Sequence, residues 1–190
     1  DGNVIYSISE PYKDTGGLRL LGGNLSPEHI AVLKLAGVEG GLEDKIFVGR
    51  ARVFDSEKSL LQTLEEEPHI FEDRDMVIVR YEGPSGAPGM PEMLDSTSRI
   101  TTLCRQKGIV VGLMTDARFS GGSVGLVIGH VGPEASLGGP IALIEDGDEI
   151  IVALNITELN CTELADTDTF ERLNLYWDSI IASPGGIHPS

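Results

Sequence analysis

The sequence predicts an α/β domain with a barrel-like, substantially closed mixed β-sheet and few flanking helices. Two observations lead to this prediction. Short apolar or alternating segments typical of strands recur about eight times, whereas about three segments have the spacing of an amphipathic helix. Strand-helix-strand units also alternate with strand pairs joined by turns, and this mixture favours a sheet with both parallel and antiparallel neighbours.

Composition restricts the classes of protein and partner. The chain has 190 residues, which suits one domain with an appended tail. Its net charge of -16, from 30 acidic and 14 basic residues, should repel nucleic acid and anionic membranes. No apolar run approaches the ~18 residues of a membrane span, and no signal peptide opens the chain. We therefore expect a soluble, cytoplasmic protein that binds neither nucleic acid nor membranes.

The chain divides into three predicted regions. Residues 1–16 are polar and are expected to form a linker or arm, and residues 17–154 carry the patterns of the folded domain. Residues 155–190 are predicted to be a strand and helix tail that packs on the domain or on a partner. The reason is that residues 168–181 have too many apolar side chains for one narrow helical stripe. Because the chain begins at Asp1 rather than methionine, we expect a fragment of a longer protein or a processed product.

The first part of the domain is predicted to contain two strands and a helix. A Ser-Pro pair at 26–27 is a helix-start signal, but the apolar alternation after it and the later glycines favour a strand over about 30–35. Residues 48–54 alternate between apolar and basic and predict a half-exposed strand. Ser56 stands before an apolar stripe and predicts the start of a helix over 57–66.

The middle of the chain is predicted to be a strand-helix-strand unit. A buried strand is expected at 76–79, followed by a long loop over 81–94 with the sequence YEGPSGAPGMPEML. Such a loop either binds something or forms a long corner. A helix over 95–107 ends at Gly108, which is placed as a C-cap glycine, and an apolar strand at 109–114 follows.

The last part of the domain is predicted to be a hairpin. Apolar runs at 140–144 and 150–154 flank the acidic turn Glu145-Asp146-Gly147-Asp148. A calcium site in this turn is disfavoured, because acidic hairpin turns are common and the spacing matches no calcium loop.

Polar side chains follow both strands of the strand-helix-strand unit. Strands 76–79 and 109–114 are predicted to be parallel neighbours, so the loops after them should share the sheet edge where ligands gather. Carboxylates there suit a hard cation, a serine suits a base and an arginine suits a carboxylate substrate. The first loop supplies Glu82 and Glu92, and the second supplies Thr115, Asp116, Arg118 and Ser120.

The same residues also have a purely structural interpretation. The glycines at 121–122 allow close approach of the backbone, so Ser120 is either presented to a ligand or an incidental part of a strand-to-strand corner. In the structural interpretation, Asp116 pairs with Arg118 and Glu92 is a charge at a helix N-terminus.

Two long motifs are similar to a known family. YEGPSGAPGMPEML and LMTDARFSGGSVGLVIGHVGPEASLGGPIALIEDGDEI closely resemble the C-terminal part of the dihydroxy-acid and phosphogluconate dehydratases, as does VFDSE at 53–57. The resemblance covers about residues 17–152. It implies a fold similar to the swivelling β/β/α domain of aconitases. It also implies a separate N-terminal domain that carries an iron-sulfur cluster and most of a magnesium site.

The resemblance also implies roles for individual residues. Ser120, in RFSGG, would be the base that removes the proton on C2 of a 2,3-dihydroxy acid, and Glu92, in GMPEM, would complete the magnesium site. Iron would act as a Lewis acid on the departing 3-hydroxyl, and the enol would become a 2-oxo acid. The cluster ligands would lie in the N-terminal domain, so Cys104 and Cys161 are not expected to be ligands. Substrate binding or loop support is implied for Gly89, Met90, Asp116, Arg118, Gly121, Gly122 and His130.

The substrate and the assembly stay open at this stage. The chain has TDARFSG where dihydroxy-acid dehydratases usually read TDGRFSG, and its form looks closer to some sugar-acid dehydratases. The substrate is therefore a branched-chain dihydroxy acid of amino-acid biosynthesis or a sugar acid. We expect the full-length lyase to be a homodimer or higher oligomer and this fragment alone to be inactive. A second interpretation is a separate small subunit or binding module of an aconitase-like or isopropylmalate isomerase-like enzyme.

Overall fold

The computed structural model describes residues 6–11, 17–34, 46–120, 125–153 and 158–162. Within this part of the chain, eight strands and two α-helices form the fold. The strands are β1 (Leu18–Gly23), β2 (Ser26–Lys34), β3 (Ile46–Phe54), β4 (Asp75–Val79), β5 (Gly112–Thr115), β6 (Val127–Gly129), β7 (Glu149–Ala153) and β8 (Glu158–Cys161), and the helices are α1 (Glu57–Glu66) and α2 (Leu94–Lys107).

The strands close into a barrel in the order β1-β2-β6-β5-β4-β3-β7-β8. The pairs β3–β4, β4–β5 and β5–β6 are parallel, whereas β1–β2, β2–β6, β3–β7 and β7–β8 are antiparallel. A parallel contact between Gly22 and Glu158 closes the ring between β1 and β8. The predicted mixed, closed sheet with few helices is therefore confirmed, while the likeness to the aconitase domain stays a prediction.

Side-chain alternation along the strands separates two hydrophobic clusters. In β4, Met76 and Ile78 belong to the cluster inside the barrel, and Val77 and Val79 belong to the cluster beneath the helices. Leu60 of α1 joins this second cluster and is completely buried. The two helices thus cover the outside of the parallel strands, which explains why β4 is apolar at every position between Met76 and Val79.

The predicted boundaries of α1 and α2 are confirmed to within one residue. Ser56 is the N-cap of α1, where its hydroxyl accepts a hydrogen bond from the amide of Ser59 at 3.1 Å. Gly108 ends α2 in the left-handed conformation, with φ of 68°.

The strand interpretation of β2 is also confirmed, and the structure explains the misleading Ser-Pro signal. The hydroxyl of Ser26 accepts from the amides of Ile30 and Ala31 at 3.1 and 3.0 Å, as a capping side chain does. The backbone between them turns through the left-handed region at His29, with φ of 56°. The serine therefore caps a local kink in a strand rather than a helix.

The predicted hairpin at 140–154 is wrong. Pro140–Leu143 is a short 3-10 helix, and β7 pairs with β3 and β8 instead. Nη1 of Arg80 donates hydrogen bonds to the carbonyls of Ala142 and Ile144, at 2.7 and 2.9 Å. In a strand, these carbonyls would accept hydrogen bonds from a neighbouring strand instead. The apolar run is buried because it packs against the interior of the barrel. Burial alone does not distinguish a strand from a short helix packed in this way.

The strand predicted at 109–114 begins later than expected, at Gly112. The amide of Val110 donates to Asp73 Oδ1 at 2.8 Å, and the Val110 carbonyl accepts from the amide of Arg74 at 2.7 Å. These hydrogen bonds join Val110 to the turn before β4, so its backbone groups bond to a loop and not to a strand of the sheet.

Strand β8 lies in the region that the sequence assigned to the tail, and it belongs to the barrel. The helix predicted over 168–181 lies outside the described residues, as does most of the predicted arm over 1–16. Among the helices that the structure describes, none has the length and apolar character needed to cross a membrane.

Candidate active site

The two polar loops meet at the carboxyl ends of β4 and β5, as predicted. Asp116, which directly follows β5, accepts hydrogen bonds from the amides of Tyr81 and Glu82, at 3.0 and 3.1 Å. It also accepts from the amide of Ala135 at 3.0 Å. One buried carboxylate thus ties together the loop after β4, the loop after β5 and the segment after β6.

The environment of Asp116 opposes its ionisation. Desolvation by burial raises the pKa of Asp116 above its ordinary value of 3.8, and the nearby Glu134 raises it further. The backbone amides of Ala135, Glu82 and Tyr81 act in the opposite direction. The structural alternative in which Asp116 pairs with Arg118 is wrong, because Asp116 bonds to backbone amides instead.

Arg118 pairs with Glu92 of the first loop. Its Nη2 donates to Glu92 Oε1, and the two side chains are 39% and 48% exposed. Helix α2 begins at Leu94, and Met93 before it has the left-handed conformation. Glu92 therefore precedes the first turn of the helix, and its charge pairs with Arg118 of the other loop. The predicted grouping of Glu92 with Arg118 at one edge is confirmed, although neither role assigned to them is tested.

Ser120 lies beside this ion pair. Its amide donates to the carbonyl of Glu92 at 3.2 Å, and its carbonyl accepts from Nζ of Lys34 at 3.2 Å. Its Oγ is buried and has no hydrogen-bond partner, and within the described part of the chain it is the one buried side-chain N or O atom in that condition. A buried hydroxyl left unpaired costs about 1–3 kcal/mol, so this position calls for an explanation. Gly121 and Gly122 lie outside the described residues.

The other predicted site residues contribute mainly through their backbones. Gly89 and Met90 have positive φ, of 87° and 45°, and form the turn that leads to Glu92. His130 also has a positive φ, of 54°, and its amide donates to the carbonyl of Ala117 at 2.7 Å while its side chain is exposed. These residues fit the implied loop support, and nothing tests a contact with substrate.

Two residues at the site, Lys34 and Glu134, had no predicted role. The carboxylate of Glu134 is 8% exposed and accepts from the amides of Ser85 and Gly86, at 3.0 and 3.3 Å from Oε2. A Cβ on Gly83 would lie 2.3 Å from Glu134 Oε2. Gly83 in YEGPSG is a signal that another group approaches this loop closely, whereas nothing near Lys34 in sequence points to Ser120.

Comparison with known proteins identifies the family. The family model described as dihydroxy-acid/6-phosphogluconate dehydratase C-terminal matches residues 3–183. The chain belongs to this family. It is 48% identical over 152 residues to the dihydroxy-acid dehydratase of Aeropyrum pernix, covering 80% of this chain and 26% of that protein.

Two further relatives show similar identities and similar coverage of each chain. A dihydroxy-acid dehydratase of Nocardioides sp. is 43% identical over 180 residues, covering 94% of this chain and 30% of the relative. The mitochondrial dihydroxy-acid dehydratase of Schizosaccharomyces pombe is 43% identical over 174 residues, covering 92% and 28%. The chain therefore spans less than a third of the length of these dehydratases.

The resemblance to this dehydratase family implies magnesium and an iron-sulfur cluster, and the described residues fit them unequally. Glu92 offers one half-exposed carboxylate at the mouth of the loops, which suits one ligand of a magnesium ion. No group of three or more His, Cys, Asp or Glu side chains that could hold a metal occurs in the described part of the chain. Glu92 therefore fits as a single contribution to a site that needs further ligands.

The two cysteines do not fit an iron-sulfur site. Cys161 is buried inside the barrel, and Cys104 packs against the cluster beneath the helices. Desolvation raises the pKa of the Cys104 thiol, which disfavours the thiolate that a metal needs. Both thiols are therefore poorly placed to bind a cluster, and the location of its ligands in another part of the protein stays a prediction.

Proposed function

We propose that this chain is the C-terminal domain of a dehydratase that converts a 2,3-dihydroxy acid to a 2-oxo acid, with Ser120 as the base. The observation that carries the proposal is the buried, unpaired Oγ of Ser120 at the edge where Glu92 and Arg118 meet. Family membership supports the reaction class, and the names of the relatives support a dihydroxy acid as substrate.

Ser120 is suited to receive a proton because no protein group is hydrogen-bonded to its Oγ. In the proposed reaction, the proton on C2 passes to the ionised oxygen of Ser120, the C–H electrons form the C2–C3 double bond, and the 3-hydroxyl leaves as hydroxide, which takes up a proton to become water. The resulting enol gains a proton at C3 and loses the proton of its 2-hydroxyl, which gives the 2-oxo acid. A serine hydroxyl ionises far above neutral pH, so the site must stabilise the oxyanion electrostatically.

Glu92 and Ser120 are held in a fixed mutual arrangement. The Ser120 amide donates to the Glu92 carbonyl, so a shift of one loop moves both residues together. We assign the Glu92 carboxylate as a ligand of a magnesium ion. Arg118 would orient that carboxylate through their ion pair. Magnesium and the cluster, when bound, would supply Lewis-acid chemistry at the oxygens of the substrate.

The rest of the proposal concerns the larger protein. A domain with one candidate magnesium ligand needs a partner that completes the site, and we infer that an N-terminal, cluster-bearing domain supplies it. The relatives favour a branched-chain dihydroxy acid of amino-acid biosynthesis over a sugar acid as the substrate.

Replacing the base tests the proposal. In the full-length enzyme, Ser120→Ala should lower kcat about 10²–10⁴-fold, the usual contribution of a general base. The absorbance of the cluster should be unchanged, because the substitution removes one hydroxyl oxygen and no cysteine ligand. The control is Ser98→Ala on the exposed side of α2, which should keep its activity. A Ser120→Ala enzyme with normal kcat would refute the assignment of the base.

A further inference from the structure

The side-chain ammonium of Lys34 reaches the candidate base from a different strand. Lys34 is the last residue of β2 and pairs in register with Val127 of β6. Its Nζ donates to the carbonyl of Ser120 at 3.2 Å, and the side chain is half-buried. A lysine held in this way loses rotamer freedom, which the contact must offset.

Ser120 is therefore held by both of its backbone groups and by none of its side-chain atoms. Its amide is tied to the carbonyl of Glu92, and its carbonyl is tied to Lys34. These two contacts orient the peptide planes on either side of the α-carbon, and the planes set the direction in which Oγ projects. With no hydrogen bond of its own, Oγ depends on these contacts for its position.

We propose that Lys34 is a positioning residue for the serine base, an inference that rests on the proposed function. It acts through the backbone of Ser120 and does not contact the substrate. Its loss should leave substrate binding intact and misplace the atom that takes the proton. Displacement of a reacting group by about 1 Å lowers a rate by about 10²-fold.

A second lysine provides a matched control. Nζ of Lys107, near the end of α2, donates to the carbonyls of Pro68, His69 and Phe71, at 2.9, 3.2 and 3.0 Å. This contact has the same chemistry but lies at the opposite ends of the parallel strands. Lys107→Met should therefore lower Tm and leave kcat unchanged.

The experiment compares Lys34→Met, Lys34→Arg and Lys107→Met in the full-length enzyme. For Lys34→Met we expect a fall in kcat of about 10²-fold with an unchanged KM. The affinity for the 2-oxo acid product, measured by calorimetry, should also be unchanged. Lys34→Arg, which keeps a cationic donor, should recover most of the lost kcat.

Three results would overturn the inference. One is a normal kcat for Lys34→Met while Ser120→Ala is inactive, which would reject Lys34 and leave the proposed function standing. Another is a loss of product affinity at normal kcat, which would make Lys34 a substrate ligand. The third is a fall in kcat that Lys34→Arg does not recover and that accompanies a fall in Tm as large as in Lys107→Met. An active Ser120→Ala enzyme would instead reject the proposed function together with this inference.

Discussion

At the scale of single residues, the carboxylates around the site are distinguished by their partners. Glu82 accepts from the amide of Glu57 at 2.7 Å, while Asp116 and Glu134 accept from amides of the first loop. Each of these three carboxylates supports the backbone. Glu92 pairs with the half-buried Arg118 instead, and its own side chain is 48% exposed, so a ligand at the mouth of the loops can reach its carboxylate. This difference supports Glu92 as the metal ligand over its acidic neighbours.

Replacing Asp116 by asparagine tests the backbone role and its pH dependence. The new side chain would turn an NH₂ group towards an amide donor, so the free energy of unfolding should fall by about 1–3 kcal/mol. Because the pKa of Asp116 is raised, the folded protein binds this proton more tightly than the unfolded chain does. The stabilisation that Asp116 contributes through this proton to the free energy of unfolding is fully present below pH 3.8 and is lost as the pH rises through the raised pKa.

The advantage of the wild type over Asp116→Asn should therefore be larger at about pH 4 than at about pH 7. Urea unfolding of both proteins at the two pH values measures the difference, and titrating groups that do not interact with Asp116 cancel in the comparison. An equal difference at both values would contradict the assigned direction of the pKa shift.

At the scale of structural elements, the loop after β4 is shaped by residues in the left-handed conformation and by hydrogen bonds to Glu134. Tyr81, Met90 and Met93 have φ of 66°, 45° and 53°, a region that side chains other than glycine occupy at some cost. The bonds from Asp116 and Glu134 to the loop amides compensate for that cost. The loop can thus be rich in glycine and proline and still place Glu92 against Ser120.

Gly83→Ala tests whether close contact with Glu134 shapes the loop. The new Cβ would lie 2.3 Å from Glu134 Oε2, so the carboxylate must move away from the amides of Ser85 and Gly86. We expect a loss of about 1–3 kcal/mol in the free energy of unfolding, the range seen for overpacked sites. The control is Gly17→Ala, where a Cβ meets nothing within 4 Å and should be neutral. Equal stabilities of the two variants would contradict the role of Glu134.

At the scale of the whole molecule, side-chain hydrogen bonds supplement the backbone pairing of β1 with β8, where the barrel closes. Asn24, in the turn between β1 and β2, donates through Nδ2 to the carbonyl of Cys161 at 2.7 Å and accepts through Oδ1 from its amide at 2.8 Å. The amide of Asn24 donates to Asn160 Oδ1 at 2.9 Å. Strand β8 is thereby held against the first hairpin, although Gly22 and Glu158 are the one pair of β1 and β8 in register among the residues that the structure describes.

Asn24→Ala should weaken this closure. It removes both side-chain hydrogen bonds to the backbone of Cys161, so we expect a loss of about 1–3 kcal/mol in the free energy of unfolding. Hydrogen exchange at the Cys161 amide should accelerate more than exchange in β4, because β8 would open before the centre of the sheet does. Arg99→Ala is the control, since its ion pairs with Asp95 and Glu65 are exposed and contribute little. Uniform acceleration across all strands would contradict a local opening.

Local signals in the sequence determined much of the fold. The cap at Ser56, the glycine at 108 and the apolar residues of β4 depend on neighbours in the chain, so both α-helices and the parallel core were predicted. The long motifs around Glu92 and Ser120 were sufficient to suggest the family that the comparison later showed. Where local pattern was ambiguous, as in the buried run at 140–143, the predicted hairpin was wrong.

Only the tertiary structure decided which polar groups of the site are engaged and which are free. Four carboxylates lie in or beside the loops, and their sequence contexts do not show that three of them bind backbone amides. The approach of Lys34 to Ser120 joins residues 86 positions apart in the chain. A hydrogen bond depends on distance and direction in space, and closure of the barrel sets both for groups that are remote in sequence.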